Sequence, residues 1–137
     1  MRYLAIDHGA KRIGLAICDA DETIASPLEV LSNRPGVTRQ IAGIIEHEGV
    51  GAIVLGLPLN MDGSEGPQAA KAKVFAERLK KDVGVPIHLQ DERLSSFGAD
   101  EKLETTGLSR ARKRTLRDAL AAAEILDAFL QNKAQGA

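Results

Sequence analysis

Tyr3-Leu4-Ala5-Ile6-Asp7-His8-Gly9-Ala10-Lys11-Arg12-Ile13-Gly14-Leu15-Ala16-Ile17 sets two short apolar runs around a link, Gly9 to Arg12, that is short enough for a hairpin. Tyr3 to Asp7 and Ile13 to Ile17 therefore read as adjacent antiparallel strands. The first strand ends on a carboxylate. Charged side chains are seldom deeply buried unless they are paired or hold a cation, so an acid at the end of a core strand suggests a cation site. Gly9 permits a tight departure from the strand.

Working outward, Thr23 to Leu31 reads as a third strand, reached through Asp19 to Glu22, with Pro27 suited to an edge or a bulge. After Asn33-Arg34-Pro35-Gly36 the apolar period changes. Val37, Ile41, Ile44 and Ile45 mark one face of a helix that Gly49 ends. Ala52 to Gly56 reads as a buried strand and Asn60 to Pro67 as a loop. A helix follows through Val74, Phe75 and Leu79, then a strand from Val85 to Gln90 and a C-terminal helix. The order β-β-β-α-β-α-β-α predicts an α/β fold: a mixed five-stranded sheet, three strands antiparallel then two parallel, with helices on both faces.

At 137 residues and 44% hydrophobic content, one domain spanning residues 1–137 is expected, with 132–137 as a frayed tail. The net charge of −1 gives no overall attraction to polyanions, so nucleic-acid binding would need a local patch. Cys18 stands alone, which excludes an internal disulfide framework and makes a zinc cluster unexpected. The chain shows neither a leader pattern nor an apolar run near the roughly 20 residues that span a bilayer, so a cytoplasmic protein without membrane contact is expected.

Two further acids sit where apolar pattern gives way. Glu92 follows the run Ile87 to Asp91, and Asp118 opens the apolar C-terminal helix. At about 100° per residue from Leu116, the polar positions Arg117, Glu124, Asp127 and Gln131 gather on one side, whereas Asp118 falls with Ala122, Ile125 and Phe129. A first-turn acid would also gain about 0.3–1 kcal/mol from the helix dipole, but the apolar face favours a functional reading. Strand alternation sends Asp91 and Glu92 to opposite sides, so only one of them joins a cluster cheaply. Acids from three elements can hold one or two hard cations, and oxygen-only ligation favours Mg²⁺ or Mn²⁺. Such a centre suits phosphodiester hydrolysis by water.

Cationic residues surround these acids in sequence. Lys11 and Arg12 follow Asp7, Arg93 follows Glu92, and Arg110, Arg112, Lys113, Arg114 and Arg117 precede Asp118. They could neutralise phosphates. With aromatic residues at 3%, recognition should rely on backbone and shape, not on stacking. The loop Asn60 to Pro67 could close over substrate or serve only as a helix entry.

Four motifs, Asp7 to Gly14, Gly56 to Ser64, Asp91 to Ser96, and Asp118 with Ala121-Ala122, resemble the YqgF family over nearly the whole chain. Members have an RNase H-like fold and are described as Holliday junction resolvases or as nucleases that process the 5′ end of pre-16S ribosomal RNA. The resemblance implies that Asp7, Glu92 and Asp118 bind catalytic metal, with Asp91, Gly9 and Ser95 in support. Ser95-Ser96 stands where the family usually carries a threonine pair. It also implies a structured nucleic-acid partner, with pre-16S rRNA favoured over branched DNA; monomer and homodimer both stay open, and junction resolution would require the homodimer. Junction resolution is one alternative. A non-catalytic nucleic-acid or ribosome-binding module is another, and Asp-x-Gly before a hairpin also resembles the phosphate motif of actin-like ATPases and sugar kinases.

Overall fold

In the computed structural model, which describes residues 1–94 and 109–135, the N-terminal third folds as an antiparallel meander. Its strands are β1 (Tyr3–His8), β2 (Arg12–Cys18) and β3 (Ala25–Ser32). Gly9 N–H donates to the Arg12 carbonyl at 2.9 Å and closes the first turn. β3 starts at Ala25 and not at Thr23, because the Asp19 carboxylate accepts from the backbone N–H groups of Thr23 and Ile24 and from the Thr23 hydroxyl. Donors used in that turn are lost to the ladder. Pro27 lies on an edge strand and beside a register shift opposite Leu15 and Ala16, so its missing N–H costs the sheet little.

α1 (Val37–Glu48) ends at Gly49, whose φ of 67° lets its N–H return to the Ile45 carbonyl. β4 (Ala52–Leu57) pairs parallel to β1, and α2 (Pro67–Lys80) opens on a proline that has no N–H to leave unsatisfied. β5 (Ile87–Asp91) pairs parallel to β4 and gives the order β3-β2-β1-β4-β5. Val85 stays outside this strand, since Pro86 cannot donate to a ladder. A single 3₁₀ turn, Glu92–Leu94, follows. The expected mixed sheet is the one observed.

α3 (Arg110–Ala134) differs from expectation at its start. Ser109 caps it by accepting from the Arg112 N–H at 3.2 Å, so Asp118 lies about two turns inside the helix and does not open it. A dipole effect confined to the first turn cannot account for that acid. At the other end the helix runs through Ala134, where Lys133 Nζ donates to Glu22 Oε1 at 2.7 Å. Among the described residues no helix is long and apolar enough to cross a membrane.

Alternation divides the core in two. Leu4, Ile6, Leu15, Ile53 and Leu55 meet Ile41 of α1 with Phe75 and Leu79 of α2. Ala5, Ala16, Ala52 and Val54 meet Ala122, Ile125 and Leu126 of α3. Each large apolar side chain on the first face contributes about 1.5–3 kcal/mol by burial. The small residues on the second face contribute less and instead let α3 lie close to the sheet.

Candidate active site

Asp7 occupies the last row of that close-packed face. It pairs with Gly14 of β2, and the pairing of Ile6 with Leu55 sets Gly56 of β4 on its other side. Each glycine leaves space that a neighbour fills. A Cβ on Gly14 would collide with the backbone of Asp118, and one on Gly56 would collide with the Glu92 carboxyl and with Ile125 Cδ1 at 2.7 Å. Three acids distant in the chain thus reach one end of the sheet, two of them through missing side chains. An isolated glycine within an apolar strand was the available sequence signal for both positions.

Asp7 and Glu92 are hydrogen-bonded to each other through their carboxyl groups. Burial, the bond to Asp7 and the charges of Asp7 and Asp91 raise Glu92 to about 8. Asp7 is raised as well, first by burial and further by the charge of Asp118, while the bond to Glu92 opposes the shift. The pair therefore shares a proton near neutral pH. Asp118 is turned differently: its Oδ2 accepts from Arg12 Nε at 2.6 Å. Among the described residues no three His, Cys, Asp or Glu side chains stand ready to hold a metal ion. The donors nonetheless suit a hard cation, because two carboxyl groups already converge and the charge of a third, Asp118, acts on Asp7.

Asp91 points away, as alternation requires. Its carboxylate takes Arg93 NH2 at 2.7 Å and the Arg93 backbone N–H at 2.9 Å, which holds it below the usual carboxylate range. Arg93, expected on substrate, also donates to the Met61 carbonyl at 3.2 Å and so ties the loop after β4 to the end of β5. That loop is braced within itself, with Asp62 Oδ1 accepting from the Ser64 N–H and hydroxyl at 2.9 and 2.6 Å. Arg12, also expected on substrate, is engaged by Asp118. Lys11 and Arg112 are exposed. Ser95 and the side chains of Lys113 and Arg114 lie outside the described residues. Gly9 shapes the turn that carries Lys11 and Arg12 past Asp7.

Comparison with known proteins gives a consistent picture. A family model described as "RuvX: Holliday junction resolvase" matches residues 1–132. A relative from Anaeromyxobacter sp. (strain Fw109-5), named "putative pre-16S rRNA nuclease", is 46% identical, covering 97% of this chain and 98% of the relative. One with the same name from Maridesulfovibrio salexigens is 44% identical, covering 95% and 98%. Among solved structures, Thermus thermophilus RuvC with a Holliday junction substrate superposes with TM-score 0.62 at 19% identity, covering 100% of this chain and 98% of that one. The Fowlpox virus resolvase bound to junction DNA reaches 0.58 at 12% identity, covering 97% and 99%. At such identities these structures speak for the fold, the RNase H-like arrangement, alone.

Proposed function

Because the chain belongs to the RuvX family, we propose that it is a nuclease that hydrolyses phosphodiester bonds in structured nucleic acid. Asp7, Glu92 and Asp118 would hold Mg²⁺ or Mn²⁺. The observation that carries this reading is the Asp7–Glu92 contact, two half-buried acids pressed together with the charge of Asp118 acting on Asp7. For stability alone such a cluster is unfavourable, since burial and like charge both oppose ionisation. When bound, the cation supplies a polarised water and neutralises charge on the phosphate. Gly56 leaves the room in which Glu92 reaches Asp7, and Glu92 would have to give up its proton to serve as a ligand. Arg12 keeps a guanidinium beside Asp118, placed to meet a phosphate oxygen.

The names of the relatives favour precursor 16S rRNA; the family resemblance adds cleavage at its 5′ side, which would set the work in the cytoplasm. Junction DNA is the second reading, favoured by the family description and the two resolvases that share the fold. Both substrates, a 5′-extended 16S precursor and a four-way DNA junction, are offered to the wild type and to Asp7→Asn with Mn²⁺, Mg²⁺ or EDTA. Metal-dependent cleavage that falls at least about a hundredfold in the variant is expected. Equal cleavage by both proteins would overturn the assigned site.

A further inference from the structure

The face of the sheet opposite α3 also carries a charge pattern that the acid cluster does not explain. His8 follows Asp7 in β1, and alternation points it the other way, against α2, where its ring lies 4.5 Å from that of Phe75. The Asn33 amide nitrogen sits 3.2 Å from His8 Nε2 and donates to the Gly9 carbonyl at 2.8 Å. His8, Ala10 and Asn33 line a pocket of about 430 Å³ together with Lys71, Phe75 and Arg78 of α2. Arg78 also lines a second pocket of about 450 Å³ together with Arg39 and Lys81. The two hollows are thus one basic stripe running from the end of β1 along α2 to α1.

Pairing separates this stripe from ordinary surface charge. On the same helix, Lys73 Nζ lies 2.7 Å from Glu65 and Lys80 Nζ lies 3.1 Å from Glu77. Lys71 and Arg78 have no carboxylate partner among the described residues, and Arg78 instead lies 5.9 Å from the centroid of the Phe75 ring. The one acid lining the stripe, Asp82, accepts the Thr38 hydroxyl at 2.5 Å. Four cations, Arg39, Lys71, Arg78 and Lys81, thus face one carboxylate in a chain whose net charge is −1. Lys71 and Arg78 stand about two turns apart, roughly 10 Å along the helix axis, a spread that suits two separate phosphates of a backbone better than a single anion.

We infer that this stripe is a second nucleic-acid contact, on which the phosphates of a substrate arm are seated after the strand passes the acids around Asp7. The inference rests on the nuclease reading and adds the surface that holds the substrate away from the reacting bond. No base need be read there, so the contact is sequence-tolerant and salt-dependent.

The test uses the full chain in EDTA, so that binding is measured without cleavage. A fluorescein-labelled RNA hairpin with a single-stranded 5′ extension is titrated over a range of KCl. Lys71→Glu/Arg78→Glu is compared with Lys73→Glu/Lys80→Glu, which changes charge equally on the same helix. Melting curves establish that both variants fold. The first pair should weaken binding by about tenfold or more and lower the salt slope by about 2, while the second leaves both near wild type. Equal effects from the two pairs, or none from the first, overturn the stripe and leave the acid site standing. Suppression of wild-type binding by millimolar inorganic phosphate at constant ionic strength would also overturn it, in favour of a free-anion pocket. A wild type that binds neither this RNA nor a four-way junction overturns the nuclease reading itself.

Discussion

Arg12 governs how Asp118 is presented. Its side chain was expected to lie on substrate phosphate, yet at rest it donates to the carboxylate beside the acid pair. Both uses follow from one property, a charge that persists at any working pH. A divalent ion approaching Asp118 meets that charge, so the arginine opposes metal while favouring phosphate. Exposed pairs of this kind are worth about 0.2–1 kcal/mol, which corresponds to a change of up to about fivefold in an equilibrium. Arg12→Ala should therefore bind Mn²⁺ up to about fivefold more tightly and labelled RNA more weakly, as read by paramagnetic titration and by anisotropy. Weaker Mn²⁺ binding in this variant would contradict the assignment of Arg12 as the ion's competitor.

At the level of elements, two glycines decide how strand, turn and helix meet. Gly14 faces the α3 backbone at Asp118, which cannot yield without moving the helix, whereas Gly56 faces the ends of the Glu92 and Ile125 side chains. The same added methyl group therefore has different consequences. Gly14→Ala should cost about 1–3 kcal/mol in urea unfolding, the range of an overpacked core. Gly56→Ala should cost less, yet lower Mn²⁺ affinity by displacing Glu92 from Asp7. Finding Gly56→Ala to be the less stable of the two would mean that the approach of α3 does not depend on Gly14.

For the whole molecule, the acid pair links stability to pH. Glu92 is raised to about 8 and Asp7 is raised too, so between the unfolded carboxyl range and pH 8 the native state holds more protons than the unfolded chain. The slope of unfolding free energy with pH is then negative: stability is highest at the acid end of this window and falls until pH passes about 8. Asp19, held at about 2 by Thr23 and Ile24, acts with the opposite sign, but its window lies below pH 4. In EDTA, stability should fall by about 3–4 kcal/mol between pH 5 and 8, and Glu92→Gln should remove most of that fall. Saturating Mn²⁺ should reverse the slope, because the ion binds the ionised pair. Urea midpoints that stay level across this range without metal would show that Glu92 does not retain its proton.

What the sequence determined by itself was whatever depends on local periodicity. Alternating and 3.6-residue patterns distinguished strands from helices, and the short links around Gly9 and Asp19 made the first three strands neighbours. The apolar stripe through Ala122 and Ile125 brought Asp118 to the sheet, and opposite facing of Asp91 and Glu92 followed from a period of 2. Only the tertiary structure decided matters that depend on rows across the sheet. It turned Glu92 inward and left Asp91 to Arg93, gave Arg12 to Asp118, started α3 at Arg110, and placed Lys71 and Arg78 beside His8. The physical reason is that a linear pattern specifies which face a side chain takes. Whether two faces come close enough to share a proton or a phosphate depends on the absent side chains of Gly14 and Gly56, whose effect exists only once β1, β2, β4 and α3 are packed together.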